Sequence, residues 1–368
     1  MRTAACLLCL LLGGSSPLSG DTLRLPADSV AARLLGGPPV CRVSEGGSYR
    51  WEGGELLPLE GLFSYYPAEQ RPLGVQPSLS RQVRRGEVLR GYFRFDETVD
   101  RLEATLQALE GDLHLSAKGF PIDDEGRDWC LLIGVPSTAE AGQYVLTVRG
   151  FRGRRFILYL AHTEIRQRDF RSEEIAFNRA LSELMTSPDP RKIEESRELA
   201  ELLTSFHSRS VYHIGPLSLP VESRQRTSGY ADRRLYSYAD GGSSRSLHNG
   251  IDLAAPVGTP VFASGAGRVV LARERIITGN SVVIEHLPGV FSLYYHLEEI
   301  EVQEGQRLYQ GQRIGTVGMS GLATGPHLHW ELRVSGTAVD PDFFVTVPMI
   351  DKTVFSHNII DRNLQERG

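Results

Sequence analysis

Residues 246–252 read Ser-Leu-His-Asn-Gly-Ile-Asp and residues 325–332 read Gly-Pro-His-Leu-His-Trp-Glu-Leu, and these two stretches decide the fold of the C-terminal part of the chain. In an extended strand, side chains two and four positions apart lie on one face. His248 and Asp252 therefore share a face, and so do the two histidines of the second stretch. The opposite faces are apolar, as expected for strands that pack on a core. We expect two strands that bring two polar pairs together.

The residue types of these two pairs indicate a metal site. Imidazole and carboxylate groups together suit zinc, and three protein ligands with one open position characterise a catalytic site. Gly250 lies between His248 and Asp252 on their shared face and has no side chain to crowd an ion. Five of the ten histidines lie within residues 248–329. A lone histidine on a strand is usually a hydrogen-bonded structural residue, whereas two spaced pairs in one region favour metal binding.

Length and composition limit the classes of protein to consider. A chain of 368 residues is expected to form two or three domains. Its 41% hydrophobic and 23% charged residues are typical of a soluble globular protein. The net charge of -5 gives no reason to expect nucleic-acid binding. Nothing in the sequence specifies an oligomeric state.

The N-terminus has the pattern of an export signal over residues 1–20. Arg2 supplies a positive charge, residues 4–12 form an apolar core, and small and polar residues follow. The apolar core is much shorter than the roughly 20 residues of a spanning helix, so we expect an exported mature chain without a transmembrane segment. In that chain Cys41 and Cys130 either form a disulfide or remain buried thiols.

The rest of the sequence predicts a mainly β protein with an N-terminal β-sandwich, a helical hairpin linker and an antiparallel β core. Residues 21–81 are rich in Gly, Pro and Ser and predict an extension of short strands and loops. Short β-rich runs separated by turns predict the sandwich over 82–162. The hairpin occupies 163–208 and the β core 209–345, and the tail at 346–368 is peripheral.

Two helices are expected within the predicted hairpin linker. Ser172 can cap the first helix, which ends before Pro188. The second helix carries apolar residues at helical spacing, namely Leu199, Leu202, Leu203 and Phe206. The hairpin is either a packing spacer or a lid that covers the metal site until it is displaced.

Three motifs of the C-terminal region resemble those of the lysostaphin/LytM zinc endopeptidases. They are His-Asn-Gly-Ile-Asp at 248–252, Tyr-His-Leu at 295–297 and His-Leu-His at 327–329. The similarity extends over about residues 216–344 and includes the turns between the motifs. One departure lies at 228–234, which reads Ser-Gly-Tyr-Ala-Asp-Arg-Arg where the family usually reads close to Phe-Gly-x-Arg. This departure concerns the groove wall and leaves the motif histidines in place.

The resemblance implies a role for five residues. It implies that His248, Asp252 and His329 hold one Zn²⁺ and that His296 and His327 are catalytic. Two neutral imidazoles and one carboxylate leave the metal unit with a net charge near +1, which acidifies a bound water. The two catalytic histidines would accept the proton of this water and stabilise the oxyanion, and the sequence leaves open which does which.

Four further residues near these motifs have competing interpretations. His286 matches no ligand position and is expected to be structural. Tyr294 and Tyr295 alternate faces beside His296, and one of them is a candidate to contact substrate. Glu331 shares a face with His329 and is a candidate to orient its imidazole. Packing in the core or at the surface is nevertheless the favoured interpretation for both tyrosines and for Glu331.

The resemblance therefore favours an exported zinc endopeptidase of the periplasm or cell envelope that hydrolyses the peptide stems of bacterial peptidoglycan. The first alternative is an inert relative that binds and activates another cell-wall hydrolase. The second is a binding module in which any zinc is structural. Inhibition by a chelator and restoration by zinc would distinguish the enzyme from both alternatives.

Overall fold

Antiparallel β-sheets form most of the chain in the computed structural model, which describes residues 22–25, 29, 31, 33, 39–44, 47–52, 55–67 and 70–354. The predicted export signal and the end of the predicted tail lie outside these residues. The chain divides into two compact units, the first with residues 1–83, 89–133 and 139–167 and the second with residues 84–88, 134–138 and 168–368. In the described part of the chain, no helix has the length and apolar character needed to cross a membrane. The prediction of a mainly β fold is confirmed.

The first unit contains two antiparallel sheets. Its strands are β1 (Thr22–Arg24), β2 (Pro39–Val43), β3 (Ser48–Glu52), β4 (Glu55–Pro67), β5 (Val75–Leu79), β6 (Gln82–Arg84), β7 (Val88–Phe95), β8 (Arg101–Ala108), β9 (His114–Lys118), β10 (Phe120–Pro121), β11 (Asp128–Gly134), β12 (Gly142–Arg152) and β13 (Arg155–Arg166). The larger sheet has the order β1-β2-β4-β13-β12-β8-β9, with β3 on β4 and β6 on β13, and the smaller has the order β10-β11-β7-β5. The ring of Phe93 on β7 meets the ring of Tyr159 on β13 edge to face, with 6.2 Å between centroids. These sheets form the predicted sandwich.

The predicted boundary near residue 81, between the N-terminal extension and the sandwich, does not coincide with a boundary between sheets. Strand β4 pairs with β13 along residues 156–160, so it belongs to the larger sheet of the sandwich. The many Gly, Pro and Ser residues of the predicted extension weaken the periodicity there, and the long-range pairing with β13 cannot be recognised from local sequence.

The two cysteines of the first unit are free and buried. Cys41 lies on β2 and Cys130 on β11. Burial raises the pKa of the Cys41 thiol to about 12 and also raises that of Cys130. Of the two alternatives for these cysteines, the structure has buried thiols.

The second unit contains the remaining elements. They are β14 (Ser172–Ala176), α1 (Arg179–Thr186), α2 (Pro190–Thr204), β15 (Arg226–Ser228), β16 (Arg233–Ser237), β17 (Ser243–Leu247), β18 (Gly250–Ala254), β19 (Pro260–Phe262), β20 (Gly267–Arg275), β21 (Gly279–Leu287), β22 (Val290–Ile300), β23 (Arg307–Leu308), β24 (Arg313–Val317), β25 (His327–Val334), β26 (Thr337–Val339), α3 (Pro341–Thr346) and a 3-10 helix (Lys352–Val354). A ten-stranded sheet has the order β15-β18-β25-β22-β21-β20-β23, with β24 on β19 and β22 and with β26 on β25. A three-stranded sheet has the order β14-β16-β17.

The start of the first predicted helix is wrong. Ser172 begins strand β14, which pairs in parallel with β16, and α1 is capped instead by Asn178, whose side chain accepts a hydrogen bond from the Leu181 N–H. A serine followed by two glutamates satisfies the local rules for a helix start. The backbone of this segment instead forms hydrogen bonds with β16, which makes it a strand. The cap at Asn178 follows the same local rule six residues later.

Helix α2 packs on strands β20 to β22 of the ten-stranded sheet. Leu203 is buried among apolar side chains that include Leu271 and Phe291, and the partly buried Leu199 and Leu202 pack against the same cluster. The end of α2 is therefore fixed to the sheet by apolar burial. This contact fits a packing role, and the alternative that the two helices act as a lid stays a prediction.

Candidate metal centre

Strands β18 and β25 position two of the candidate ligands. They pair in antiparallel register with Asp252 opposite His329, and side chains opposite each other lie on the same face of a sheet. The neighbouring pair, Ile251 and Trp330, is buried at 1% and 0% exposure on the other face. The alternation of polar and apolar residues thus fixes which side chains face the candidate site, because a slip of one residue would expose the apolar set.

The third candidate ligand, His248, lies in a short break between β17 and β18. The predicted extended stretch is therefore interrupted at residues 248–249. The ring of His248 is held by its Nδ1 atom, which lies 2.7 Å from the carbonyl oxygen of Gly229. Its Nε2 atom then lies 3.0 Å from Oδ1 of Asp252 and 2.9 Å from Nδ1 of His329.

These three side chains form a compact group of donor atoms. The remaining side of the triangle, between Nδ1 of His329 and Oδ1 of Asp252, measures 2.8 Å. The three residues are buried, with exposures of 3% for His248, 5% for Asp252 and 7% for His329. Among the described residues, His248, Asp252 and His329 are the three side chains whose ligand atoms lie close enough together to hold a metal ion.

The hydrogen-bond partners of the two imidazoles define where their protons lie. A carbonyl or carboxylate oxygen only accepts, so Nδ1 of His248 donates to Gly229 and Nε2 of His329 donates to Oε1 of Glu331 at 2.9 Å. Burial lowers the pKa of His248, so its Nε2 holds a lone pair. Burial also lowers the pKa of His329, but the carboxylates of Asp252 and Glu331 outweigh it and raise the pKa to about 9. The three facing atoms share at most one proton, whereas a cation would satisfy all of them.

The donor set fits zinc. Zinc bonds to imidazole and carboxylate are about 2.0–2.2 Å long, so donor atoms of a tetrahedral site lie roughly 3.3 Å apart. The separations here are 2.8–3.0 Å, and small side-chain rotations bridge the difference. A set of two imidazoles and one carboxylate leaves a fourth position of a tetrahedral ion for water or substrate.

The two carboxylates in contact with the imidazoles are each held by an arginine. Oδ2 of Asp252 accepts from Nη2 of Arg234 at 2.6 Å, and Oε2 of Glu331 accepts from Nε of Arg333 at 2.8 Å. Glu331 thus contacts the outer nitrogen of His329, so the structure has the orienting contact rather than the packing role that the sequence analysis favoured. Sequence reasoning missed Arg234, because no spacing rule shows that an arginine on a separate strand faces a ligand.

The two histidines assigned a catalytic role by resemblance lie beside the donor group. His296 donates from Nδ1 to the carbonyl oxygen of Ser320 at 2.8 Å, and His327 donates from Nδ1 to that of Gly325 at 2.8 Å. Their ring centroids are 4.9 Å apart, and Nε2 of His327 lies 3.6 Å from Oδ1 of Asp252. Burial lowers the pKa of His296 to about 3. Both Nε2 atoms are therefore free of backbone partners and can exchange protons.

The backbone of His296 is unusual. Its φ angle is 60°, in the left-handed region that few residues other than glycine adopt. Residues in such conformations cost of order 1–3 kcal/mol and persist where the surrounding structure fixes them. Here the backbone N–H of His296 donates to the carbonyl oxygen of Thr278, which holds the turned backbone in place.

The remaining candidates of this region lie in the core. His286 is fully buried, with Nδ1 2.7 Å from the Ala266 carbonyl oxygen and Nε2 2.7 Å from Oγ of Ser292. This contact agrees with its structural interpretation. Tyr294 is also fully buried and accepts from the Ser264 N–H.

Tyr295 is buried against the candidate ligands. It lies opposite His329 in the pairing of β22 with β25, and its ring stacks on that imidazole with 5.5 Å between centroids and 5° between planes. Both tyrosines therefore have packing roles, and Tyr295 in addition limits the rotation of a candidate ligand.

The region that carries these residues is similar to known proteins. Residues 246–341 match Peptidase family M23. Over 122 residues the chain is 46% identical to the peptidoglycan DD-endopeptidase ShyA of Vibrio cholerae, covering 33% of this chain and 28% of ShyA. Over 95 residues it is 47% identical to the DD-carboxypeptidase/endopeptidase Mpg of Neisseria meningitidis, covering 26% of this chain and 22% of Mpg. A crystal structure of an M23 peptidase from Pseudomonas aeruginosa covers 72% of this chain and 94% of its own, at 25% identity and a TM-score of 0.49. The chain spans about a quarter of the length of these two curated relatives.

Proposed function

Because residues 246–341 form a Peptidase family M23 domain, we propose that the chain is a zinc-dependent endopeptidase that hydrolyses the peptide cross-links of bacterial peptidoglycan. One observation carries the proposal. Nε2 of His248, Oδ1 of Asp252 and Nδ1 of His329 lie within 3.0 Å of one another in a buried group that holds at most one proton. Such a group is suited to bind a divalent cation through three protein ligands.

The chemistry follows from the groups that surround this site. Zinc held by His248, Asp252 and His329 would act as a Lewis acid, which would lower the pKa of a water molecule and polarise a substrate carbonyl. His296 and His327 handle the protons, because each ring is anchored through its Nδ1–H, which leaves Nε2 to exchange a proton. Nε2 of His327 lies 3.6 Å from Oδ1 of Asp252. One of the two histidines would accept the proton of the attacking water on Nε2, and the other, with its Nε2 also protonated, would donate a hydrogen bond to the oxyanion as it forms.

The substrate class is proposed from the two relatives. ShyA is named a peptidoglycan DD-endopeptidase and Mpg a DD-carboxypeptidase/endopeptidase. The family match at residues 246–341 contains all five candidate site residues. We infer that this chain acts on the peptide stems of peptidoglycan and that the export pattern of residues 1–20 directs it to the cell envelope.

The test is hydrolysis of isolated sacculi by the purified mature chain. We expect soluble peptide-containing fragments, detected by mass spectrometry, whose masses identify the cleaved bond. A chelator should abolish the release, and added zinc should restore it. His327→Ala should retain zinc and lose about 10²–10⁴-fold in rate, as expected for removal of an acid or base, whereas His248→Ala should lose the zinc itself.

Two outcomes would contradict the proposal. A folded chain that binds no zinc would remove the metal-dependent mechanism. A chain that binds zinc, releases no fragments and accelerates a second cell-wall hydrolase would instead be the inert activator.

A further inference from the structure

The two carboxylate oxygens of Asp252 have different partners. Oδ1 faces His248 and His329, whereas Oδ2 accepts a hydrogen bond from Nη2 of Arg234 at 2.6 Å. Asp252 is buried and Arg234 is mostly shielded from solvent, with side-chain exposures of 8% and 12%. A guanidinium in this position occupies the oxygen that a metal would otherwise share, so it restricts Asp252 to ligation through one oxygen.

Arg234 is itself held in place by Glu173. Its Nε donates to Oε1 of Glu173 at 2.5 Å, and the same oxygen accepts from Oγ of Ser228 at 2.7 Å. The parallel pairing of β14 with β16 places Glu173 beside Arg234. The guanidinium thus bridges two carboxylates through different nitrogens, and this contact fixes its orientation.

The charges of this chain of contacts alternate. Asp252 is negative, Arg234 is positive and Glu173 is negative, so the arginine has a carboxylate on each side. Without Glu173, the guanidinium would be a buried cation beside a metal site, which would oppose the binding of a second cation. Glu173 therefore balances the charge that Arg234 brings to Asp252.

We propose that Arg234 and Glu173 are positioning residues that hold Asp252 in its metal-binding orientation. The inference rests on the proposed function, because it requires that the site binds a metal ion. It also means that the metal centre extends beyond the family match at residues 246–341, to strands β14 and β16. Partners of this kind set the affinity of a site through the orientation and basicity of its ligands.

The experiment measures the zinc affinity of the full mature chain by competition with a chelating dye. Arg234→Gln should raise the zinc dissociation constant about 10- to 100-fold, the usual effect of removing such a partner. Glu173→Gln should raise it by a smaller factor, because Arg234 remains. If Glu173 acts through Arg234, the double variant should bind zinc as weakly as Arg234→Gln alone.

A matched control is available on the same strand. Arg233 is exposed and points to the opposite face of β16, so Arg233→Gln removes the same charge without touching Asp252. Its zinc affinity should equal that of the unmodified chain. The visible spectrum of the cobalt(II) form gives a second readout, because Arg234→Gln frees Oδ2 to ligate, and the higher coordination number should weaken the absorption of tetrahedral cobalt.

The outcomes separate this inference from the proposed function. If the unmodified chain binds no zinc, the proposed function fails. If it binds zinc and Arg234→Gln and Glu173→Gln bind equally tightly with unchanged cobalt spectra, the positioning role is refuted while the function stands. Circular dichroism of the metal-free variants checks folding, and Glu173→Gln decides the question if Arg234→Gln does not fold.

Discussion

Replacing Gly250 by alanine tests why strand β18 carries a glycine between two candidate ligands. The sequence suggests that a side chain here would crowd the ion. The structure gives a different reason, since a Cβ atom built on Gly250 would lie 2.3 Å from the carbonyl oxygen of Trp330 and 2.9 Å from Cγ of Glu331. The three nearest atoms all belong to these two residues of β25, so the glycine is required by the close approach of two strands.

The expected magnitude follows from these distances. Relieving the overlap requires a shift of roughly 1 Å between β18 and β25, and forced overpacking of this kind costs about 1–3 kcal/mol. Alanine has less conformational freedom than glycine in the unfolded chain, which offsets about 0.4–1 kcal/mol of this cost. The pairing of these two strands should therefore be less stable by about 1–2 kcal/mol, whether or not metal is present.

Hydrogen exchange of the metal-free protein, followed by mass spectrometry, measures this loss locally. Peptides that cover β18 and β25 should exchange roughly 5- to 30-fold faster in Gly250→Ala, since 1.4 kcal/mol corresponds to a factor of ten. Gly325→Ala is the control, because a Cβ atom there has no neighbour within 4 Å. If exchange in the metal-free Gly250→Ala protein is unchanged and only its zinc affinity falls, the argument from backbone approach is wrong and crowding of the ion is the reason.

Three further predictions concern separate parts of the chain. Glu331→Gln removes the carboxylate that accepts from Nε2 of His329, and the zinc dissociation constant from dye competition should rise about 10- to 100-fold. The two buried cysteines should resist alkylation in the folded chain and both react after denaturation without reductant, and protection after denaturation would indicate a disulfide. Hydrogen bonds from Arg155 lower the pKa of Glu97 to about 2, so this pair stabilises the sandwich above pH 4.5 and the stabilisation is lost as the pH falls toward 2. Acid unfolding followed by circular dichroism should be less steep in Glu97→Gln.

Much of the candidate site could be predicted from the sequence because it depends on the alternation of strand residues. The two-residue period places Asp252 and His329 on the same side of paired strands, and the apolar residues between them settle which side faces the core. Alternation does not reveal which strands pair. That information came from the resemblance of ordered motifs, which also assigned roles to His296 and His327.

The contacts that sequence reasoning missed all depend on pairing between distant segments. Glu173 meets Arg234 only because β14 adds in parallel to β16, across about sixty residues that include both helices. The helix predicted from Ser172 failed for the same reason, since local capping signals carry no information about a strand partner elsewhere in the chain. His296 shows a second kind of limit, because its left-handed backbone is imposed by its neighbours and leaves no mark in residue type.

The way in which the strands are held also bears on the role of the metal. The pairing of β18, β25 and β22 uses backbone hydrogen bonds, and the apolar residues behind the site, Ile251, Leu253, Leu328 and Trp330, are buried at 0–1% exposure. A small zinc domain lacks such a core and unfolds when its metal is removed, because metal binding supplies its folding free energy. Here the sheet has its own core, so the metal-free chain should keep its fold. A metal ion bound by the three candidate ligands without being needed for folding would be suited to catalysis rather than to a structural role.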